Sequence, residues 1–130
     1  MSRKRSETIT DGELRLMRVL WAEQRATVGE VWAGLPGPDR PSYKSVQTLL
    51  RILEQKGYVR HEKDGRAFVY VPLIDRERAR RGAVARLLRQ FFDGRPGLLA
   101  LNILEREQLD ARELAEVKRL LKQAGRPRES

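Results

Sequence analysis

The 130-residue sequence predicts a mainly α-helical protein with one small β-hairpin. Two observations lead to this fold class. Apolar residues recur at the three- and four-residue spacing of a helix through most of the chain. Between residues 58 and 71 the pattern changes to aromatic and β-branched residues on either side of Asp64-Gly65, which is typical of a hairpin turn. The length suits one domain, or one compact domain with a helical extension.

Two capping boxes predict where the first two helices begin. Thr10 and Glu13 stand three residues apart, so the hydroxyl and the carboxylate can each pair with a backbone N–H at the helix start. The helix over 11–24 then has an apolar face made of Leu14, Met17, Leu20 and Trp21. Thr27 and Glu30 repeat the box before a short second helix, which a run rich in glycine and proline ends.

A third helix is predicted between Ser42, which is placed to cap it, and Gly57, which is placed to end it. Its apolar face is made of Val46, Leu49, Leu50 and Leu53. This stripe predicts that the third helix packs inward along one side and turns its other side outward.

The predicted hairpin has strands over 58–63 and 66–71. A two-residue turn at Asp64-Gly65 would place three pairs opposite each other: Lys63 and Arg66, His61 and Phe68, and Val59 and Tyr70. One face of the hairpin therefore runs from an apolar base to a basic tip. We assign four aromatic side chains to the core, in preference to base-stacking platforms for the two in the hairpin: Trp21, Trp32, Phe68 and Tyr70.

Three more helices are predicted after the hairpin, over residues 75–92, 98–105 and 110–123. The first of them carries six arginines. The mixed part of the chain ends near residues 72–75, so we expect one domain over residues 1–74 and a purely helical domain over residues 75–130.

Composition limits what the protein can do. The formal net charge is +9 and there is no cysteine, which favours an anionic partner and excludes disulfides, thiolate zinc sites and thiol catalysis. With one histidine and no glycine-rich phosphate loop, we expect no enzyme, no metal site and no cofactor. We expect His61 to have a structural or wing-contact role.

No segment resembles a targeting or membrane-spanning sequence. The N-terminal ten residues lack the apolar stretch of a secretory signal, and no run approaches the roughly 18 apolar residues of a membrane span. We therefore expect a cytoplasmic protein. Arg3, Lys4 and Arg5 are either contacts to a DNA backbone or part of a disordered terminus.

Three helices followed by a hairpin is the order of a winged helix-turn-helix, in which the third helix enters the major groove of DNA. Glutamine can pair with adenine there, and arginine or lysine with guanine. Residues 40–70 carry four more positive than negative charges, which favours phosphate. The predicted DNA-binding residues are Ser42, Tyr43, Lys44, Ser45, Gln47, Thr48 and Arg51 on the third helix, with Lys63 and Arg66 at the wing tip.

Other functions remain open on these observations. An amphipathic helix can have an ordinary solvated face. A winged helix can also bind RNA or protein, because the fold does not determine the partner. A third alternative is a regulator that responds to a small molecule bound between the winged helix and the C-terminal helices.

Several motifs occur here in the order and spacing of one known family. They are ITDGE (residues 9–13), VLW (19–21), SYKSVQTLL (42–50), KG (56–57) and EKDGRAFVY (62–70). Over residues 8–122 the chain resembles the penicillinase repressor family of winged helix-turn-helix transcriptional repressors, which includes BlaI, MecI and CopY. The resemblance implies a homodimer that blocks transcription at a pseudo-palindromic operator in double-stranded DNA.

The resemblance also implies that the C-terminal helices form the subunit interface, and the residues favour this independently. The terminal helices carry more apolar residues than they can bury alone, so a second subunit is expected to cover them. The predicted interface residues are Leu98, Leu101, Ile103, Leu104, Leu114, Val117 and Leu121. The alternative is local packing onto the winged helix.

Members that resemble BlaI and MecI are inactivated by cleavage between an asparagine and a phenylalanine, under control of a membrane sensor. Asn102-Ile103 falls at that place, with isoleucine in the position of phenylalanine. Because isoleucine departs from the family's pattern, we assign Asn102 to the interface as a polar residue, and the alternative is cleavage at Asn102-Ile103 under control of a membrane sensor or protease. The C-terminal cysteine clusters through which CopY-like members bind copper are absent from this sequence.

Overall fold

The computed structural model describes residues 9–125, which form six helices and a three-stranded antiparallel sheet. Arg3, Lys4 and Arg5 lie outside these residues. The elements in chain order are α1 (Asp11–Glu23), β1 (Ala26–Thr27), α2 (Val28–Gly34), α3 (Tyr43–Lys56), β2 (Val59–Asp64), β3 (Ala67–Pro72), α4 (Arg76–Phe91), α5 (Pro96–Arg106) and α6 (Ala111–Ala124). The predicted fold class, mainly α with a small β-hairpin wing, is confirmed.

The helices begin where the predicted caps stand. The Thr10 hydroxyl accepts the backbone N–H of Glu13 at 3.2 Å, and the Glu13 carboxylate accepts the N–H of Thr10 at 2.8 Å. Thr27 and Glu30 form the same reciprocal pair at the start of α2. Ser42 caps α3, and Gly57 ends it in the left-handed conformation at φ 89°. Local side-chain chemistry therefore sets the limits of the first three helices.

The sheet has one strand that sequence patterning does not predict. Its order is β1-β3-β2, and β1 pairs with β3 through Ala26 with Tyr70 and Thr27 with Val69. Two residues are too short to show the alternation that identifies a strand. The result is a hairpin wing whose base is attached to the segment between α1 and α2.

The predicted register of the wing is wrong by two residues. Asp64 lies opposite Ala67, Lys63 opposite Phe68, and His61 opposite Tyr70. The turn is therefore Gly65-Arg66, in which Gly65 has φ 65° at the first turn position, where glycine takes a positive φ without strain. A turn centred on Asp64-Gly65 would have placed a non-glycine residue in that conformation. A shift of two keeps the same side chains on each face.

The core lies between the first three helices and the sheet. Its fully buried side chains include Leu16, Met17, Leu20, Val31, Val46, Leu50, Leu53 and Val59. Trp21 and Trp32 pack against it, and their indole N–H groups donate to the carbonyls of Ile74 and Pro41. The assignment of Tyr70 to the core agrees with its burial, but that of Phe68 is wrong, because 47% of its surface is exposed. Phe68 lies one residue beyond the part of β3 that pairs with β1, which ends at Val69.

The chain divides into two compact units between Arg86 and Leu87, within α4. Ala79, in the first half of α4, still packs against the core of the first unit. The boundary between a DNA-binding domain over residues 1–74 and a dimerisation domain over residues 75–130 stays a prediction. In the second unit α5 and α6 have no buried residue. None of the described helices is both long enough and apolar enough to cross a membrane.

Candidate nucleic-acid interface

The third helix is anchored along one side. Val46, Leu50 and Leu53 are completely buried, and Leu49 is half-buried against the same core. The spacing of these residues leaves the opposite side of α3 in solvent, as the sequence predicted.

The outer side of α3 presents Lys44, Gln47 and Arg51. Positions three and four residues apart lie on one helix face, so these three side chains form one row. All three are exposed, and none of the three side chains makes a hydrogen bond or ion pair with another residue of the described range 9–125. Two cations flanking an amide are therefore available to a partner outside this chain. We call Lys44, Gln47 and Arg51 the α3 face.

The hydroxyl groups near the start of α3 are partly used within the helix. The Ser42 hydroxyl accepts the N–H of Ser45 at 3.1 Å, and the two serine hydroxyls lie 3.0 Å apart. The Thr48 hydroxyl donates to the carbonyl of Lys44. Tyr43 is half exposed, with its ring edge-on to Trp32 at 6.5 Å. Ser42, Tyr43 and Ser45 stand at the positive end of the helix, where backbone N–H groups favour phosphate, and Thr48 lies about one turn further along α3.

Arg40 stands beside this end of α3 and was not among the predicted contact residues. Its guanidinium lies 3.9 Å from the centre of the Trp32 ring and donates to the Trp32 carbonyl. Only the packing of the loop on Trp32 brings it there, so periodicity gave no signal for it.

The cations of the wing that form ion pairs lie further from its tip than those that do not. Arg60 pairs with Glu62 at 3.1 Å, and Arg25 reaches the same carboxylate at 3.7 Å. Lys63 and Arg66, nearer the tip, are exposed and make no ion pair within residues 9–125. The tip is therefore the part of the wing with free positive charge.

A carboxylate of α3 holds the wing. Glu54 accepts the backbone N–H of His61 at 3.2 Å, and both of its oxygens lie 2.7 Å from Nδ1 of His61. The His61 ring packs against Phe68 and Tyr70 of β3. Burial raises the pKa of Tyr70, the negative charge of Glu54 raises it further, and Arg51 lowers it less, so Tyr70 stays neutral.

An ion pair joins the end of α3 to the start of α1. The Lys56 ammonium lies 2.7 Å from the Glu13 carboxylate, which is almost completely buried. Burial acts to raise the pKa of Glu13, but hydrogen bonds from Lys56 and Thr10 and the charge of Lys56 outweigh it, so the pKa lies below its usual value. Lys56 was counted in the predicted positive balance of residues 40–70. Its ammonium pairs with the buried Glu13, so we expect it to stabilise the fold.

The second unit exposes the predicted apolar residues on its own helices. Leu101 and Leu121 are 57% and 56% exposed, Val117 is half-buried, and Leu98, Ile103, Leu104 and Leu114 are all exposed. Phe91, at the end of α4, is 72% exposed and was not among the predicted interface residues. Asn102 is exposed in the middle of α5, so the Asn102-Ile103 bond lies inside a helix.

Comparison with known proteins places this arrangement among repressors. Residues 9–123 match the family described as Penicillinase repressor. The penicillinase repressor of Bacillus licheniformis is 34% identical over 120 residues, which are 92% of this chain and 94% of that protein. The methicillin resistance regulatory protein MecI of Staphylococcus aureus strain N315 is 24% identical over 113 residues, 87% of this chain and 92% of that one.

Among solved structures, the solution structure of the DNA binding domain of the repressor BlaI is similar to this chain. It shares 39% sequence identity and covers 57% of this chain and 90% of its own, with a TM-score of 0.51. The solved structure therefore covers 57% of this chain, whereas the family match over residues 9–123 covers nearly all the described residues.

Proposed function

Because the chain belongs to the penicillinase repressor family, whose members are DNA-binding transcriptional repressors and not enzymes, we propose that it represses transcription as a homodimer on a pseudo-palindromic operator. The observation that carries this proposal is the α3 face, three exposed side chains able to pair with bases or phosphates and without a partner among residues 9–125. In a winged helix this helix occupies the major groove.

Each residue of the α3 face suits a definite contact. The Gln47 amide can donate to N7 and accept from N6 of an adenine, and the cations of Lys44 and Arg51 can donate to O6 and N7 of guanine or to phosphate. Ser42, Tyr43 and Ser45 are placed to contact phosphate, because they stand at the helix end whose backbone N–H groups attract it. Thr48 lies about one turn further along α3, where its hydroxyl can contact a phosphate or a base edge.

The wing adds contacts that do not depend on sequence. Lys63 and Arg66 are exposed at its tip, and each phosphate that such a cation neutralises releases counterions into solution. The wing therefore contributes affinity and orientation, while the α3 face contributes the choice of bases.

The second subunit is proposed to cover the exposed apolar side chains of the C-terminal helices. Seven leucine and isoleucine residues of α5 and α6 have at least 37% of their surface exposed. Such a set on short helices is typical of an interface, and a closed dimer uses the same surface on both subunits. The proposed interface residues are Leu98, Leu101, Ile103, Leu104, Leu114, Val117 and Leu121.

We assign Asn102 to this interface in preference to a cleavage site. A protease needs an extended segment, and the Asn102-Ile103 bond lies in the middle of α5, which would first have to unwind. Release by a sensor-controlled protease would then require opening of the dimer as a first step.

Selection of bound duplexes from a random pool tests the proposed function. We expect the purified protein to select two inverted half-sites whose centres lie one helical turn of about 10 base pairs, or a multiple of it, apart, because only a two-fold dimer on duplex DNA imposes that spacing. Recovery of unrelated sequences without two-fold symmetry, or of no duplex at low salt, would refute the proposal.

Gln47→Ala is expected to change base preference. Loss of the amide should remove about 1–3 kcal/mol of discrimination at one position of each half-site and leave binding to unrelated DNA unchanged. Competition binding with single-base operator variants measures this. Gln123→Ala, an exposed glutamine of α6, is the matched control. Equal weakening on every sequence would show that Gln47 does not read a base.

Arg66→Ala is expected to weaken binding to all duplexes alike. Loss of one phosphate contact in each subunit should make the plot of log affinity against log salt shallower by about one unit per subunit, or about two units for the dimer. Titrations at four salt concentrations measure the slope. Arg112→Ala, which removes the same charge from α6, should leave the slope unaltered. An unchanged slope in Arg66→Ala would argue against a wing contact.

A further inference from the structure

We propose that Glu54 and His61 are positioning residues that join the wing to α3, so that the wing tip and the α3 face engage DNA as one rigid unit. The inference rests on the proposed function, because it assigns to these two residues the relative placement of its two DNA contacts. Neither residue is proposed to touch DNA.

The pair lies between the two sets of contact residues. Glu54 follows Arg51 by three residues on α3, and His61 precedes Lys63 by two residues on β2. The Glu54 carboxylate accepts both the backbone N–H of His61 and its side-chain N–H, at 3.2 and 2.7 Å. A carboxylate that binds the main chain and the side chain of one residue fixes the position of β2 as well as its rotation.

The other strand of the wing is held through the same imidazole. The His61 ring centre lies 4.7 Å from that of Phe68 and 5.8 Å from that of Tyr70, both on β3. Tyr70 is buried in the core, whereas Phe68 is half exposed and is the last aromatic side chain before the tip. His61 therefore links the α3 carboxylate to both strands.

The outer part of the wing has no comparable support within residues 9–125. β1 pairs with β3 only at Val69 and Tyr70, and the ion pairs of Glu62 join it to Arg60 and Arg25, not to α3. From Lys63 to Phe68 the two strands pair only with each other. The placement of Arg66 relative to Arg51 thus depends on the contact between Glu54 and His61.

Loss of this contact has a defined physical consequence. A wing that moves independently must be ordered when DNA binds, and that ordering offsets the gain from its phosphate contacts. Substitutions at two sites that depend on one shared element are not additive, whereas independent sites add. Coupling between Arg66 and Glu54 is therefore the quantity to measure.

The experiment is a double-mutant cycle on the full-length protein and the selected operator duplex. Arg66→Ala in the parent should weaken binding about fivefold for each of the two subunits at 0.15 M salt, the counterion effect of one phosphate per subunit. In the Glu54→Ala background the same change should cost less than about twofold per subunit, with no further change of the salt slope. Glu54→Gln keeps an oxygen that accepts both N–H groups and should restore the fivefold effect.

Two further variants make the cycle decisive. Glu77→Ala removes the same charge from an exposed ion pair of α4, and Arg66→Ala should retain its full effect in that background. His61→Ala removes the imidazole that the Glu54 carboxylate binds, and it takes the place of Glu54→Ala in the cycle if Glu54→Ala does not fold. In this background too, Arg66→Ala should weaken binding by less than about twofold per subunit. A purely structural role for the pair would lower the unfolding temperature without changing the coupling.

The outcomes separate the inference from the function on which it rests. An Arg66→Ala effect of the same size in the parent, Glu54→Ala and His61→Ala backgrounds would overturn the positioning role while leaving DNA binding by the wing intact. A second outcome is that the parent selects a two-fold operator and yet binds it equally well after Arg66→Ala. That result would overturn both the inference and the wing contact, but not base recognition by α3. Failure of the parent to bind duplex DNA would overturn all three.

Discussion

Replacing both Leu101 and Leu121 with glutamate is expected to convert the dimer into a monomer and to weaken binding to a complete operator by about 100-fold or more. These side chains are 57% and 56% exposed on α5 and α6 of one subunit. Two carboxylates placed in an apolar interface would lose their hydration without gaining a partner. Linking two half-site contacts in one molecule raises affinity by about 10²–10⁴, and that gain would disappear.

Sedimentation and binding to two duplexes measure this result. The monomer should bind a single half-site as the parent subunit does, because the winged helix is unchanged. Gln108→Glu with Gln123→Glu adds the same charge at exposed polar positions and should remain dimeric. A Leu101→Glu, Leu121→Glu protein that still sediments as a dimer would show that the interface lies elsewhere.

Lys56→Met is expected to lower the free energy of unfolding by about 2–4 kcal/mol at pH 7. Removal of one partner of a buried ion pair leaves the other charge uncompensated, and the usual cost is reduced here because Lys56 is 22% exposed. Glu13 would keep only its hydrogen bonds to Thr10. Urea denaturation of the full-length protein at fixed concentration measures the loss.

The same substitution should change the dependence of stability on pH. In the parent the pKa of Glu13 is lowered on folding, so its contribution is present above the unfolded value and is lost as the pH falls through the folded one. In Lys56→Met the ammonium no longer opposes the effect of burial, so the pKa of Glu13 rises on folding. The difference in the free energy of unfolding between variant and parent should therefore become smaller as the pH falls from 7 to 4. Lys44→Met, an exposed lysine of the same helix, should stay within about 0.5 kcal/mol of the parent at each pH. A difference in the free energy of unfolding that stays constant with pH would mean that Lys56 does not affect the pKa of Glu13.

The sequence identifies those parts of the fold that depend on residues near one another in the chain. Thr10 with Glu13, Thr27 with Glu30, and Ser42 with Gly57 mark helix ends through bonds to their own helices. Periodicity assigns the faces of α3 correctly, because burial of Val46, Leu50 and Leu53 leaves only one orientation. For this reason the α3 face could be predicted before any coordinates.

The parts that were missed depend on contacts between distant residues or on one choice of turn. Glu13 and Lys56 are 43 positions apart, and no local pattern shows that they meet. β1 is defined only by its pairing with Tyr70 and Val69. The turn at Gly65-Arg66 moved the wing register by two residues, and the exposure of Phe68 depends on where the neighbouring strand stops. The contact between Glu54 and His61 has no signal in the sequence.

The central claim is that the α3 face reads bases from the major groove. Its most direct test replaces each purine of the selected operator, one at a time, by its 7-deaza analogue, which lacks the N7 acceptor that points into that groove. We predict that affinity falls at purines grouped in two symmetric half-sites, and that the loss at one adenine of each half-site disappears in Gln47→Ala. Equal binding of the parent to every substituted duplex and to the unmodified one would contradict the claim.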